Sequence, residues 1–363
     1  MHSFRLPYCL IVEDGAFLHM DEMLPACVAD IREKKILFVT EQFLKELFAD
    51  TIAEIQKDLQ HCDLYLVEDA SFDIAVALAK YASVQDYDVC IGFGGGKVLD
   101  VAKYASFVAK IPYICLPTTL SNDSLASPFS VMATDGHNRK TFGCKIPTGI
   151  IVDTEIIRAA PESQLKAGIG DTISKYTALY DWKLDAAKKG GRVDDFAYMI
   201  SEMAYNTVAF CEERSLKSKN FIHILTEALV FGGLAMEIAG SSRPCSGAEH
   251  LFCHALEEFY PQIKISHGMA VAMGSIGAGI FQERDVSKLY RLCALYGLDI
   301  KPSDYGITKE IFIDVWQRAQ STRKDRYTIL SKTDLSAERL SCIYDRMSVS
   351  EKNEFTHSAS GEC

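Results

Sequence analysis

The chain has 363 residues, 48% of them apolar and 24% charged, with a formal net charge of -11 and a pI near 5.4. That length exceeds what one hydrophobic core usually holds, so two domains are the default, and the acidic balance argues against nucleic acid or an anionic membrane surface as main partner. The opening Met1-His2-Ser3-Phe4-Arg5 has no signal-peptide core, no apolar run reaches the length of a transmembrane helix, and twelve cysteines scattered from Cys9 to Cys363 without a C-x-x-C pair read as buried reduced thiols of a cytoplasmic protein.

Tyr8 to Val12 reads as a first strand and Ile36 to Thr40 as a stronger one, followed by a helix from Glu41. Leu64 to Val67 is the next strand, and a helix runs from Ser71 to about Ala82. Asp88-Val89-Cys90-Ile91 is short, apolar and β-branched. The glycine-rich Gly92-Phe93-Gly94-Gly95-Gly96-Lys97 follows, and Val98, Leu99, Val101, Ala102, Ala105 and Val108 then recur at helical spacing. Strand, glycine turn and helix together make a phosphate cradle, because glycine lets the backbone approach an anion and the helix start offers free N–H groups. It is neither a Walker loop, since Ile91 and Val98 stand where glycine and a hydroxyl are needed, nor G-x-G-x-x-G, since Lys97 holds the third glycine's place. A turn that only connects strand to helix is the alternative; three consecutive glycines favour a pyrophosphate.

Tyr113 to Leu116 is a strand stopped by Pro117, and Gly149 to Asp153 is another. The alternation predicts a parallel sheet covered on both faces, with ligands at the carboxyl ends of its strands, where Thr40, the glycine turn and the segment after Pro117 lie. From about Glu155 the pattern is helical, with turns near Pro161, Gly190, Pro244, Gly297 and Pro302. The expected organisation is a Rossmann-like α/β nucleotide domain over 1–155 and an all-α domain over 156–363, with a cleft between them. The stretch from about Ser348 is polar and reads as frayed.

In the helical part the strong ligands cluster. Asp171 follows Gly168-Ile169-Gly170 and reads as opening a helix, as an N-cap or as a ligand. His250 and His254 are one helical turn apart, and His267 precedes an apolar helix from Ala270 to Ile280. An aspartate and two neutral imidazoles suit a divalent ion with an open position; the spacing alone also allows caps or satisfied core histidines. His2, His19, His61, His137, His223 and His357 lack such company and read as structural or solvated. The hydroxyl-rich Pro117 to Pro128 is either a ligand loop, offering Thr118, Thr119, Ser121, Asp123 and Ser127, or a self-capping turn. Arg139, Lys140 and Lys145 are either a solvated charged face or a phosphate site.

Gly94 to Lys103, Pro117-Thr118-Thr119, Val152 to Ile157, Ala167 to Asp171 and the two histidine segments resemble the iron-containing alcohol dehydrogenase superfamily, which includes glycerol dehydrogenases and 3-dehydroquinate synthases. Within it, Ser127-Pro128-Phe129, Lys145 to Thr154, Ser242-Arg243-Pro244 with Ser246 to His250, and Asp325 to Leu330 are similar to the sn-glycerol-1-phosphate dehydrogenase family. The resemblance implies a dehydroquinate synthase-like fold and a divalent metal on Asp171, His250 and His267, zinc first, with iron or nickel as alternatives. It implies NAD on Gly94, Gly95 and Gly96, with Lys97, Asp100, Thr118, Thr119, Ser121 and Ser127 around it. Asp123 would lie beside substrate and metal, His254 near the nicotinamide, and Lys145 and Arg243 at a phosphorylated substrate. His-Gly-Met around His267 and the segment from Asp135 to Lys145 depart from the family pattern and bear on the substrate. Glu41 offers a carboxylate to an adenosine ribose and would favour NAD over NADP. The expected reaction is reduction of dihydroxyacetone phosphate to sn-glycerol 1-phosphate by a homo-oligomer. Alternatives are a glycerol dehydrogenase and a sugar-phosphate cyclase.

Overall fold

The computed structural model describes residues 4–134 and 139–348. His2, His137, His357, Cys363 and the polar tail beyond Ser348 lie outside the described residues. In chain order the elements are β1 (Cys9–Glu13), α1 (Met20–Cys27), β2 (Ile36–Thr40), α2 (Gln42–Leu47), α3 (Ala49–Asp58), β3 (Cys62–Leu66), α4 (Phe72–Val84), β4 (Val89–Gly94), α5 (Gly96–Ala109) and β5 (Tyr113–Pro117). They continue with β6 (Phe129–Ala133), β7 (Arg139–Gly143), β8 (Gly149–Asp153), α6 (Thr154–Ala159), α7 (Glu162–Ile173), α8 (Lys175–Lys189), α9 (Asp195–Ala209) and α10 (Lys219–Ala239). The last are α11 (Ala248–Phe259), α12 (His267–Phe281), α13 (Ser287–Tyr296), α14 (Lys309–Ala319) and α15 (Ala337–Ser348). The chain divides into two compact units, Met1–Leu165 with Ser215–Ile238, and Lys166–Arg214 with Ala239–Cys363.

In the first unit six parallel strands run in the order β1-β8-β5-β4-β2-β3. Strands β2, β4, β5 and β8 are buried along their whole length, which is why they read as unbroken apolar runs rather than as alternating ones. On one face Phe17 stacks on Phe93 with centroids 4.2 Å apart, and Phe38 and Phe48 close the cluster. Phe17, Phe38 and Phe93, the buried rings of the four, each contribute about 1.5–3 kcal/mol by leaving water. Helix starts are pinned by side chains: Ser71 accepts from the Ile74 N–H, and Asp153 accepts from Glu155 and also from Phe17 across the fold. The antiparallel pair β6–β7 has no counterpart in the expected elements; its Phe142 stacks on Phe72 at 4.6 Å.

Three further differences from the sequence reading have simple causes. Cys9 on β1 and Cys27 at the end of α1 form a disulfide, with Cα atoms 5.6 Å apart, because α1 packs back on β1; a separation of 18 residues makes no motif, so the all-thiol expectation is corrected. The unbridged thiols among the described residues are mostly buried, as expected. Helix α10 is 21 residues long with mean hydropathy 1.6, enough by length and composition to cross a membrane, so the reading that no run reaches such a length is also corrected. Its apolar window is 67% buried, and the helix belongs with the first unit, where Gly233 lies against the backbone of Ala126. A reading by contiguous segments groups it instead with the later helices.

In the second unit α12 is flanked on several sides. Trp316 of α14 lies against Gly277 of α12, with Phe252 of α11 and Phe281 of α12 at 4.7 and 4.9 Å from its ring. The Gly-Ile-Gly before Asp171 is not a turn, and Asp171 does not open a helix: it stands in the last turn of α7. A Cβ on Gly170 would strike the backbone of Gly268, and one on Gly268 would lie 2.8 Å from the Ala167 Cα, so both glycines mark a close helix crossing.

Candidate active site

At the carboxyl edge of the first unit's sheet, β4 ends at Gly94 beside Pro117 of β5, and the Thr118 N–H donates to the Gly94 carbonyl at 3.0 Å. Gly95 begins α5 with no side-chain cap, so the first N–H groups of that helix are left for a ligand. A Cβ on Gly95 would be 3.8 Å from the Thr119 hydroxyl and one on Gly96 3.7 Å from the Ser124 hydroxyl, which is ordinary contact. None of the three glycines has positive φ, so what they provide is a bare backbone rather than an unusual conformation. Thr40 ends β2 nearby, fully buried, and its hydroxyl has no hydrogen-bond partner among the described residues. Glu41 and Lys97 pair with each other at 3.1 Å, and Lys97 also donates to the Glu68 carbonyl.

The remaining residues expected around the nucleotide divide. Thr119 and Ser121 are partly exposed on the loop after β5, as is Asp123, which opens a short 3-10 turn. Ser127 is buried, and its hydroxyl accepts from the Phe129 N–H at 3.0 Å. Asp100 points inward: one carboxylate oxygen accepts from Lys103 Nζ at 3.2 Å and the other from the Val131 N–H at 3.1 Å. Burial pushes its carboxyl up, against the pull of Lys103. Lys103 also donates to the Ser124 and Phe129 carbonyls, at 2.8 and 2.6 Å. This buried pair therefore ties the hydroxyl-rich loop and β6 to α5, and the expectation of Asp100 at the cofactor is corrected to that positioning task. Lys145, expected at the substrate phosphate, lies away from the glycine edge of the sheet. It precedes Thr148, whose N–H meets the Tyr113 carbonyl at the amino end of β5, so roughly 15 Å of strand separates the two places.

In the second unit Asp171, His250 and His267 each present a donor atom within 4.8 Å of the others. Asp171 Oδ1 is 3.6 Å from His250 Nε2, and the His250 and His267 ring centres are 5.4 Å apart. Behind each imidazole stands a carboxylate. His250 Nδ1 meets Glu249 at 2.9 Å, and His267 Nδ1 meets Glu257 at 3.2 Å and the Cys253 sulfur at 3.3 Å. Glu249 is fully buried and is itself held by the Thr177 hydroxyl and the Gly247 N–H, at 2.9 and 2.5 Å. With Nδ1 turned to these groups, Nε2 of each ring is the nitrogen left for a metal, and that of His250 faces Asp171. Burial would raise the Asp171 carboxyl, but the buried Lys175 ammonium, 3.9 Å away, and His250 outweigh it and hold the acid well below the usual carboxylate range. One permanent carboxylate and two imidazoles backed by carboxylates fit a borderline divalent ion.

His254 lies one turn along α11, 6.3 Å from both other rings, and burial pulls its pKa well down, leaving it neutral near pH 7. Arg243 is committed to Asp185 at 2.7 Å and to the Tyr327 carbonyl at 2.9 Å, while Arg326 holds the Ser242 and Ser246 hydroxyls. Glu249, Glu257, Cys253 and Lys175 escape the sequence reading, although each stands within about a helical turn of a residue singled out there, or on its helix.

The model of the family described as iron-containing alcohol dehydrogenase matches residues 13–161. The glycerol-1-phosphate dehydrogenase [NAD(P)+] of Sulfurisphaera tokodaii is 35% identical over 303 residues, covering 83% of this chain and 86% of that one. That of Methanocorpusculum labreanum is 37% identical, covering 78% and 81%. Among solved structures, glycerol dehydrogenase from Schizosaccharomyces pombe aligns with a TM-score of 0.75 at 22% identity over 96% of this chain and 90% of its own, which speaks to the fold.

Proposed function

Because the chain belongs to the glycerol-1-phosphate dehydrogenase family of the iron-containing alcohol dehydrogenases, we infer that it reduces dihydroxyacetone phosphate to sn-glycerol 1-phosphate with NAD(P)H, reversibly. We assign a divalent ion, zinc before iron or nickel, to Asp171, His250 and His267, and the nucleotide to Gly94, Gly95 and Gly96 with Thr118, Thr119 and Ser121. The observation that carries the reading is the convergence of those three ligands with a carboxylate behind each imidazole.

When bound, the ion polarises the ketone carbonyl and the dinucleotide carries the hydride. The chain's own task is positioning. Glu249 and Glu257 fix the tautomers of His250 and His267, whose Nε2 atoms would then hold the ion. The uncapped start of α5 neutralises the pyrophosphate. We assign Asp123 to the substrate hydroxyl and His254, as a neutral imidazole, to the reacting end of the nucleotide. Glu41 accepts the ribose hydroxyls and disfavours a 2′-phosphate, so NAD is preferred to NADP; Lys97 beside it softens that preference. Glu41→Gly frees Lys97 for a 2′-phosphate and shifts the ratio of kcat/KM values toward NADP by about tenfold. An unchanged ratio refutes the assignment.

The decisive assay offers zinc-loaded protein dihydroxyacetone phosphate and dihydroxyacetone in parallel and follows loss of reduced nicotinamide. We expect the phosphate ester to win by about 10²-fold or more in kcat/KM, because a site built for a phosphate is left with unpaired polar groups by the plain ketone. Equal use of both, or phosphate release without nicotinamide oxidation, overturns it.

A further inference from the structure

We propose that the amino-terminal edge of the first unit's sheet carries a second anion site, built for a phosphate monoester with an apolar or ring-bearing body and separate from the nucleotide edge. A cavity of about 460 Å³ opens there, between the end of α5, the start of β5 and the segments leading into β1 and β8. That is within the usual range of small-molecule sites, roughly 300–1,000 Å³. In a chain of net charge -11, every charged residue lining it among the described residues is basic: Arg5, Lys103, Lys110 and Lys145.

Lys103 has its compensating charge in Asp100. The other three do not. Among the described residues the side chains of Arg5, Lys110 and Lys145 enter no ion pair and no hydrogen bond; Glu237 takes only the backbone N–H of Arg5, and Lys145 lies 5.6 Å over the ring of Phe107. Arg5, Lys110 and Lys145 are exposed and line one cavity, so they raise its local potential, and a dianion there gains charge-assisted hydrogen bonds. The carbonyl end of α5 points here and would oppose an anion. Its terminal carbonyls are already engaged, however, the Phe107 oxygen by the Lys110 N–H and the Ser106 oxygen by the Ile111 N–H, at 3.3 and 3.1 Å. Beside the cations, Tyr8, Phe107 and Ile111 offer apolar and aromatic surface, and Tyr8 is 83% exposed. A bare inorganic ion leaves that surface unused, whereas an ester with a ring covers it.

The site is not an extension of the nucleotide cradle. Both lie on α5, but at opposite ends of its 14 residues, about 21 Å apart.

The test uses the zinc-loaded full chain with NAD⁺ at saturation, so that the glycine cradle is filled, and titrates 1-naphthyl phosphate by calorimetry. The expected result is one equivalent bound, with affinity about tenfold weaker in Lys110→Glu and in Arg5→Glu. Lys110→Gln falls between, and kcat/KM is unchanged in all three. Inorganic phosphate binds more weakly than the naphthyl ester. Absence of binding, binding displaced by NAD⁺, or affinity indifferent to both charge reversals overturns the proposal. Sedimentation with phosphatidylglycerol vesicles separates a lipid headgroup from a soluble ester: vesicle binding lost in Lys110→Glu, without binding of naphthyl phosphate, refutes the soluble class.

Discussion

Gly268→Ala is the most informative single change, because it adds one methyl at the crossing that sets the distance between two of the assigned ligands. The new Cβ would lie 2.5 Å from the carbonyl carbon of Ala167 and 2.8 Å from its Cα. Those atoms are backbone and cannot rotate away. Restoring ordinary contact near 3.4 Å requires α12 to retreat from α7 by roughly 1 Å, several times the ~0.2 Å tolerance of metal–ligand bonds. His267 begins α12 and Asp171 lies in the last turn of α7, so the retreat opens the ligand set directly. Overpacking against backbone costs about 3 kcal/mol, equivalent to about 6–12 °C in Tm for a unit of this size. Displacement of one ligand costs about 10²-fold in zinc affinity. The assay is calorimetric melting of the metal-free protein and zinc titration, beside Gly143→Ala, where a Cβ meets nothing within 4 Å. If Gly268→Ala melts within about 2 °C of the parent and binds zinc equally well, the crossing does not set the site.

Glu249→Gln keeps the shape but removes the charge behind His250, and zinc affinity should fall about 10–100-fold with little change in far-ultraviolet circular dichroism; parent-like affinity would show that the carboxylate does not tune the ligand. Lys103→Met strands the buried carboxylate of Asp100 and releases the Ser124 and Phe129 carbonyls, so we expect a loss of about 3–5 kcal/mol in urea unfolding, largely recovered by adding Asp100→Asn. No recovery in the double variant would mean that the pair is not the cause. In the metal-free protein, burial pulls both His250 and His267 down, but Asp171 and Glu249 push the first up, and Cys253 and Glu257 the second, for a net rise in each. Metal must displace those protons, so zinc affinity should climb as pH rises through and above 6.5, with proton release measurable by calorimetry in buffers of different ionisation enthalpy. Zero release at pH 7 contradicts this.

The first unit's strands were legible because parallel strands buried on both faces leave unbroken apolar runs, as in Ile36 to Thr40 and Gly149 to Asp153. The β6–β7 pair was not, since Arg139-Lys140-Thr141-Phe142-Gly143 is polar and half-exposed and has only Phe142 as an apolar anchor. At the histidine cluster the residue types were visible but their support was not. Gly168-Ile169-Gly170 looks locally like a turn, and only the passage of α12 explains why a helix carries glycines there. Asp100 and Lys103, one turn apart on a helix facing the loop, look equally suited to a ligand or to each other; burial decides for the second. The cavity lined by Arg5 and Lys110 joins residues far apart in sequence, which no local pattern reveals.

The return of α10 to the first unit has a consequence for biosynthesis. The first unit cannot be completed when its sheet has left the ribosome, because the helix that lies against Ala126 ends more than seventy residues after Leu165. At about 5–20 residues per second the unfinished half waits several seconds, with the Ala126 region still uncovered. A fragment ending at 165 is therefore not a natural stopping point for expression, and chaperone engagement should be greatest on nascent chains whose release lies between those two lengths.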